Sequence, residues 1–215
     1  IEHDVLIVGA GGAGLSAAIE ASAQGMSTGV VMKSLLGKAH TVMAEGGMAA
    51  ALGNVDPRDH WKIHFRDTKS SGKFINVWRM AELHAKIAPE RVRLLEEWGA
   101  VFDRTQKGLI NQRNFGGHRY PRLAHVGDRT GLEMIRTLQD FGVHQGIEAY
   151  MECTALDLIK DKDGNVSGVV CLWRETGTFT IVKAKEIIFA TGGGGKAWDV
   201  TSNSWEYTGD GYAMA

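Results

Sequence analysis

A glycine-rich turn, set between a short apolar run and a run of small residues, constrains the fold of this chain more than any other feature. Residues 4–9 read DVLIVG, a β-branched pattern typical of a buried parallel strand. Residues 12–24 have the spacing of a helix, Gly25 supplies its end, and residues 27–32 predict a second strand. Because such crossovers are right-handed, the two strands are expected to be parallel neighbours.

The turn itself carries the spacing Gly9-x-Gly11-x-x-Gly14, which is the spacing of a dinucleotide-binding turn. In this motif the first glycine makes the tight turn and the second lets the backbone approach a pyrophosphate. The third allows close packing of helix on strand, and the phosphates lie at the helix N-terminus. The predicted nucleotide contacts in this turn are Gly9, Ala10, Gly11, Gly12, Ala13 and Gly14.

A second glycine run follows a second buried strand late in the chain. The strand EIIFA leads directly into Thr191, Gly192 and Gly193. Lys33 and Ser34 stand where an NAD-binding chain has an acidic residue, roughly twenty positions after the glycines. Serine or lysine is compatible with the ribose of FAD, so these features together favour FAD over NAD.

The rest of the pattern predicts an α/β chain. Helices are expected at Pro57–Thr68, Asn76–Ala85, Pro89–Trp98 and Asp128–Gln139. In the last of them Leu132, Ile135 and Leu138 are spaced for one buried face. Antiparallel strands are expected at Ala149–Ile159, Val166–Trp173 and Phe179–Val182. The predicted fold is a Rossmann-like, FAD-binding parallel sheet with helices and an inserted antiparallel β-sheet.

Composition excludes several classes of function. A net charge of −1 and a pI near 6.8 leave no basic excess, so nucleic acid is not expected as a partner. Cys153 and Cys171 have no CxxC spacing, which excludes an iron–sulfur cluster, a zinc site and a disulfide framework built from this chain. No apolar run approaches the roughly 18 residues of a membrane span.

The spacing of several histidines and arginines in the middle of the chain is compatible with either a binding role or a structural role. His60 and His64 have the spacing of a metal-binding pair on a helix, but no third ligand is in register, so we expect a solvated helix face and no metal. His118 and His125 are expected on the surface of an irregular loop, and their alternative role is to approach the active site. Four arginines surround that loop: Arg113, Arg119, Arg122 and Arg129. They either attract a dicarboxylate or pair with carboxylates of the fold.

Six short motifs occur in order along the chain: SLLGKAHTVMAEGG (34–47), QRNFGG (112–117), DRTG (128–131), ALDL (155–158), ATGG (190–193) and TGDG (208–211). Together they resemble the flavoprotein subunit of succinate dehydrogenases and fumarate reductases, and in particular the actinobacterial type of succinate dehydrogenase. The resemblance extends over the whole chain. In the first motif, His40, Thr41, Glu45, Gly46 and Gly47 match the family pattern.

The resemblance implies a covalently bound FAD. In the family, the histidine at the position of His40 is bonded to the 8α-methyl carbon of the flavin, which makes the flavin a stronger oxidant. Asp210 is expected to contact the flavin and to cap the next helix, and the backbone of Ala155 to meet the adenine. The full set of cofactor contacts expected beyond the first glycine turn is Lys33, Ser34, His40, Thr41, Ala44, Glu45, Gly46, Gly47, Ala155, Thr191, Gly192, Gly193 and Asp210.

Two further residues are expected beside the flavin and a dicarboxylate substrate. Glu45 lies in the loop that follows His40, and its alternative role is to cap a helix starting near Gly46. Phe115, in NFGG, has core packing as its alternative role. In the family, the residues that clamp the substrate and transfer its proton lie beyond the TGDG motif. Residues 1–215 are therefore expected to be the first part of an FAD-binding domain, without the capping and C-terminal helical domains and without the catalytic residues.

The resemblance also implies an activity and partners. The enzyme oxidises succinate to fumarate and passes electrons to an iron–sulfur subunit, from which membrane anchor subunits deliver them to quinone. The expected location is the cytoplasmic face of the plasma membrane, held there through the partner subunits. The alternatives are fumarate reduction in the reverse direction, a soluble L-aspartate oxidase, which lacks the histidine found at His40, and a non-catalytic FAD-binding fragment.

Overall fold

The computed structural model describes residues 1–215, the whole chain. In chain order the elements are β1 (Glu2–Val8), α1 (Gly12–Ala23), β2 (Thr28–Val31), β3 (Met48–Ala49), α2 (Trp61–Ser71), α3 (Trp78–Glu97), β4 (Gln112–Arg113), β5 (Leu123–Ala124), α4 (Thr130–His144), β6 (Glu148–Tyr150), β7 (Cys153–Lys160), β8 (Val166–Trp173), β9 (Phe179–Phe189) and α5 (Asp210–Met214). Short 3-10 turns occur at His40–Met43 and Gly195–Ala197. None of the helices combines the length and the apolar character that crossing a bilayer requires.

These elements form two compact units. The first contains residues 1–43 and 135–215, and the second contains residues 44–134. The second unit is thus inserted in the sequence between the turn at His40–Met43 and the body of α4. The expectation of a single FAD-binding segment over 1–215 remains a prediction.

The first unit is built on one six-stranded sheet, in the order β6-β2-β1-β9-β8-β7. β6, β2, β1 and β9 are parallel, whereas β8 is antiparallel to both of its neighbours. The core is formed by Leu6, Val8, Val31, Cys153, Val169, Cys171, Val182 and Ala184. The predicted fold class, a parallel sheet with helices and added antiparallel strands, is therefore confirmed.

The register of the parallel strands brings both glycine runs to one edge of the sheet. Val8, the last residue of β1, pairs with Val31 of β2 on one side and with Phe189 of β9 on the other. The chain leaves β1 into the first glycine turn and leaves β9 into the second. Ligands of open α/β sheets bind at this carboxyl edge, so the register identifies where a site can form.

Two strands differ from the sequence-based expectation. The strand expected at 149–159 is divided into β6 and β7, because Glu152 between them adopts a left-handed backbone with φ 52°. The two strands expected around 179–190 are instead the single strand β9. Lys183 in its middle pairs with Gly168 of β8 on one side and with Glu2 of β1 on the other, so β9 joins the parallel and antiparallel halves.

The second unit combines α2 and α3, which pack together, with a small antiparallel sheet of order β3-β5-β4. The helices predicted at 76–85 and 89–98 are one continuous helix, α3, which contains Pro89. Proline inside a helix removes one backbone hydrogen bond. A single buried stripe along α3 compensates: Ala81, Ala85, Ala88, Val92 and Leu95.

The last predicted helix is present as α4, but its buried face differs from the expected one. Ile135 and Leu138 are buried, whereas Leu132 is 52% exposed. The Thr130 hydroxyl, at the start of the helix, accepts a hydrogen bond from the N–H of Val126. Leu132 lies in the first turn of α4, and its side of that turn is exposed.

Candidate functional site

A cavity of about 730 Å³ lies in the first unit at the carboxyl ends of β1, β2 and β9. This volume is within the range of small-molecule and cofactor sites. Its wall contains most of the expected cofactor residues: Gly9, Ala10, Gly11, Gly12, Ala13, Lys33, Ser34, His40, Thr41, Ala155, Thr191, Gly192 and Asp210. Both glycine runs contribute to this wall, as the register of the sheet requires.

The first glycine turn packs against the strand end that precedes the second run. Gly9 has φ +109°, and a Cβ there would collide with the carbonyl of Ala190. A Cβ on Gly14 would overlap the carbonyl oxygen of Gly9. Gly14 therefore lies behind the turn, where its missing side chain lets α1 approach β1, and it does not line the cavity.

The N-terminus of α1 opens into the cavity with unsatisfied donors. The N–H of Gly12 donates to the Thr41 hydroxyl at 3.2 Å, while the N–H groups of Ala13 and Gly14 have no partner within the protein. No acidic side chain occupies the first turn of the helix. Because the helix dipole places partial positive charge here, this end of α1 is suited to hold an anion such as a pyrophosphate.

A charged pair joins the end of β2 to the start of α5. Lys33 Nζ lies 2.7 Å from Asp210 Oδ2 and 2.5 Å from the Thr208 hydroxyl, which itself donates to Asp210 Oδ1 at 2.7 Å. Burial acts to raise the pKa of Asp210, but the hydrogen bonds from Lys33 and Thr208 and the charge of Lys33 outweigh it. The pKa of Asp210 is therefore lowered, and the carboxylate stays ionised at the cavity wall.

His40 begins a 3-10 turn on the same wall, with Thr41 next to it. The backbone N–H of Ser204 donates to Nδ1 of His40 at 3.3 Å, and the rings of His40 and Tyr207 are 4.6 Å apart between centroids. The imidazole is half-buried, so it faces the cavity from a constrained position.

β7 contributes Cys153, Thr154 and Ala155 to the wall of the cavity. The pairing of β7 with β8 is irregular between Ala155 and Asp157, as in a β-bulge. Burial raises the pKa of the Cys153 thiol and raises that of Cys171 to about 12. Both cysteines are free and fully buried, so they are unreactive parts of the core.

The remaining expected residues lie elsewhere. Gly193 lies beneath the Tyr207 ring, and a Cβ there would approach the Tyr207 hydroxyl to 2.7 Å. Ala44, Glu45, Gly46, Gly47 and Phe115 belong to the second unit. One cavity therefore contains His40 and the residues predicted to contact the adenine and the ribose of the cofactor. Glu45 and Phe115, which are predicted to lie on the substrate side, belong to the second unit.

Within the second unit, Arg113 holds the Glu45–Gly46 turn. Its guanidinium donates to the carbonyl of Glu45 at 2.5 Å and to the carbonyl of Gly46 at 2.7 Å, and it lies 3.0 Å from Asp128. The Glu45 side chain is exposed, and the next element is β3 and not a helix, so its alternative role as a helix cap is wrong. Phe115 is 57% exposed, which argues against core packing.

Two of the four arginines of the middle loop, Arg113 and Arg122, pair with carboxylates, which is the second of the two roles expected for them. Arg122 is fully buried and lies 2.9 Å from Asp59 and 2.8 Å from Asp67. Burial raises the pKa of Asp59 and outweighs the lowering effect of Arg122. This cluster belongs to the interior of the second unit and offers no free cation to a ligand.

The expected positions of two histidines are wrong. His64, assigned to a solvated helix face, is 1% exposed; burial first, and then the charge of Arg122, lower its pKa to about 3. His125, assigned to a loop surface, is also buried. His60, which precedes α2, caps it by accepting the N–H of Lys62 at 3.2 Å. No group of three or more histidine, cysteine or acidic side chains is arranged to bind a metal.

Sequence reasoning missed Ser204 and Tyr207. Neither belongs to a glycine run or to a motif of charged residues, and both are brought to His40 by the fold from 164 or more positions away. The sequence offers one local indication that Tyr207 lies near the site. Tyr207 immediately precedes TGDG, the motif that contains the expected site residue Asp210.

Comparison with known proteins supports FAD as the ligand of this chain. The sequence profile of the FAD binding domain matches residues 4–215. One subunit of the fumarate reductase (CoM/CoB) of Methanothermobacter marburgensis is 43% identical over 215 residues, covering 100% of this chain and 39% of that protein. The succinate dehydrogenase flavoprotein subunit of Coxiella burnetii is 39% identical over 222 residues, covering 99% of this chain and 38% of that protein.

A solved structure extends the similarity to the fold. A chain of the Mycobacterium smegmatis Sdh1 complex in the apo form superposes with a TM-score of 0.96 at 56% identity, over 100% of this chain and 38% of that one. The chain thus spans less than half of the length of each of these relatives. It belongs to the FAD binding domain family, and over its whole length it is similar to the flavoprotein subunits of succinate dehydrogenases and fumarate reductases.

Proposed function

We propose that this chain binds FAD covalently through His40 and forms part of the flavoprotein of a succinate dehydrogenase. The observation that carries the proposal is the position of His40 on the wall of the same cavity that both glycine runs and the open N-terminus of α1 line. A histidine at that position is what separates this function from that of an L-aspartate oxidase.

The residues present fit FAD. The unpartnered N–H groups at the start of α1 are donors for the pyrophosphate, and the glycines of the turn leave the backbone accessible to it. Lys33 and Ser34, at the end of β2, are polar groups for the ribose. Ala155 offers backbone groups to the adenine, and Asp210, kept ionised by Lys33, fixes the wall near the second glycine run.

The flavin, when bound, supplies the capacity to accept a hydride from a substrate carbon. The part of this chain is to bind and hold it. His40 tethers the cofactor and thereby raises its oxidising power, which a poor reductant such as succinate requires. We propose that Glu45 and Phe115 lie on the substrate side. The groups that clamp the dicarboxylate and move its proton are then supplied by residues outside 1–215.

The partners follow from the chemistry. A flavin that accepts two electrons can release them one at a time, and this chain has no cysteines spaced to bind a cluster that would receive them. We infer that an iron–sulfur subunit is the acceptor, with membrane anchor subunits that pass the electrons to quinone. The assembly would be peripheral to the membrane, at its cytoplasmic face.

Fumarate reduction is the second candidate for the direction of the reaction. Relatives with both names match this chain, a fumarate reductase with 43% identity and a succinate dehydrogenase with 39%. The direction is decided by comparing the rate of succinate oxidation by a dye with the rate of fumarate reduction by a low-potential donor, in the same native preparation.

The first test is whether flavin stays with the protein in acid. Full-length native protein is precipitated with acid and washed, and the pellet is examined for flavin fluorescence. We expect fluorescence in the wild-type pellet and none with His40→Ala. His60→Ala, which changes an exposed histidine that caps α2, is the matched control and should retain the flavin. Complete release of flavin from the wild type would contradict the covalent bond and favour the aspartate oxidase alternative.

A further inference from the structure

A turn beside the cavity contacts the imidazole of His40 in two ways. The backbone N–H of Ser204 donates to Nδ1 at 3.3 Å, and the Tyr207 ring lies 4.6 Å from the His40 ring with the two planes tilted by 33°. Because Nδ1 accepts this hydrogen bond, Nε2 is assigned as the nitrogen that carries the proton in the neutral ring. The contact geometry is that of an offset aromatic pair.

The second glycine run makes room for the Tyr207 ring. A Cβ on Gly192 would lie 2.8 Å from the ring, and a Cβ on Gly193 would lie 2.7 Å from it. Any side chain at these positions would therefore displace the tyrosine. The glycines of this run thus have a role beyond access to a nucleotide, because they let an aromatic ring pack on bare backbone next to the imidazole.

Hydrogen bonds fix the turn that carries both contacts. The N–H of Tyr207 donates to the carbonyl of Ser204 at 3.1 Å, and the N–H of Lys196 donates to the carbonyl of Tyr207 at 2.9 Å. The Ser204 hydroxyl accepts the N–H of Glu206 at 3.3 Å. Because these hydrogen bonds hold the turn, the Ser204 N–H and the Tyr207 ring have fixed positions relative to the His40 imidazole.

We propose that Tyr207, together with the backbone N–H of Ser204, is a positioning residue that orients His40 for its bond to the flavin. The proposal rests on the proposed function, in which His40 is the point of attachment. In that reaction Nε2 first gives up its proton to solvent and one methyl C–H bond breaks, and the lone pair freed on Nε2 then forms the bond to the 8α carbon, while Nδ1 keeps its hydrogen bond from Ser204. Two protons leave, and the two electrons pass through the isoalloxazine to dioxygen as the oxidant. A nucleophile held in one orientation reacts faster than one free to rotate.

The test separates orientation from folding with three variants of the full-length protein. Tyr207→Phe keeps the ring, Tyr207→Leu keeps bulk without the ring, and Trp205→Leu changes an 80% exposed aromatic of the same turn. Apoprotein is mixed with FAD, and the rate of covalent attachment is followed by acid-stable fluorescence while total bound FAD is measured separately. We expect Tyr207→Leu to slow attachment roughly threefold to tenfold at equal FAD occupancy. Tyr207→Phe and Trp205→Leu should react at the wild-type rate.

The outcomes distinguish the two proposals. Wild-type protein that forms no acid-stable flavin would overturn the attachment at His40 and the positioning role with it. Wild-type and Tyr207→Leu proteins that attach flavin at the same rate would overturn the positioning role alone. A parallel loss of total bound FAD and of thermal stability in Tyr207→Leu would show a structural role instead, and would also overturn the inference.

Discussion

Arg122 is the largest side chain that is fully buried in this protein, and it is enclosed with two carboxylates. It lies 2.9 Å from Asp59 and 2.8 Å from Asp67 in the interior of the second unit. A buried ion pair is a poor source of net stability, but removal of one partner leaves the other charge buried and unpaired. The arginine therefore has a large effect when it is lost, even if the pair adds little to the stability of the unit.

We predict that Arg122→Met lowers the free energy of unfolding by about 3–5 kcal/mol. Urea denaturation followed by circular dichroism measures the change. Arg129→Met, which alters an exposed arginine a few residues away, is the control and should stay within about 0.5 kcal/mol of the wild type. Equal stability of the two variants would show that the buried cluster is better hydrated than its full burial indicates.

At the scale of elements, two glycines of the motif between β1 and α1 have different roles, one in helix packing and one at the cavity. A Cβ on Gly14 would overlap the carbonyl of Gly9, whereas a Cβ on Gly11 would lie 3.4 Å from the Thr41 hydroxyl, an ordinary contact. Gly11 lines the cavity and Gly14 does not. The third glycine of the motif therefore serves the packing of the helix, whereas the second is placed where a bound ligand can contact it.

We predict that the two substitutions fail in different ways. Gly14→Ala should lower the free energy of unfolding by about 1–3 kcal/mol, because the helix must move away from the strand. Gly11→Ala should leave stability nearly unchanged but weaken FAD binding on the order of tenfold to a hundredfold, through loss of a close backbone contact with the pyrophosphate. Thermal denaturation of the apoprotein and FAD titration by fluorescence quenching distinguish these results. Similar losses of stability in both variants would contradict this division.

At the scale of the whole molecule, stability should depend on pH through His64. Its folded pKa is about 3 and its ordinary value is 6.5, so below pH 6.5 the unfolded chain takes up a proton that the folded protein does not. The contribution of the neutral His64 to the free energy of unfolding is therefore fully present above pH 6.5 and is lost as the pH falls toward 3. The groups that face the ring are Arg122, His84, His118 and Asp67.

The prediction is a loss of about 2 kcal/mol of unfolding free energy between pH 7.5 and pH 5.0 that is attributable to His64. Urea denaturation at both pH values gives the slope. His64→Gln should remove this part of the slope whatever its own stability at neutral pH, and His144→Gln, at an exposed position, should preserve it. An unchanged slope in His64→Gln would mean that His64 takes up its proton over the same pH range in the folded and in the unfolded state.

How much the sequence could predict depends on whether the determining contacts are local. The turn at Gly9–Gly14 is specified by neighbours in sequence, so its conformation and its nucleotide-binding role could be predicted. The continuity of α3 through Pro89 and the burial of His64 depend on what packs against them, and periodicity carries no such information. Tyr207 was missed for the same reason, because its partner His40 precedes it by 167 positions.

The position of β9 in the sheet has a consequence for how the protein is made. β1 pairs with β9 through residues about 180 positions apart, so the first strand emerges from the ribosome long before its partner exists. Until residue 189 has been synthesised, the backbone on one side of β1 has no partner strand. The carboxyl ends of the strands, where the cavity forms, also lack the second glycine run until then. Contacts of such separation form slowly and expose apolar edges to aggregation. FAD capture must therefore come late in biosynthesis, and nascent chains that are truncated before residue 189 should require chaperones and remain without flavin.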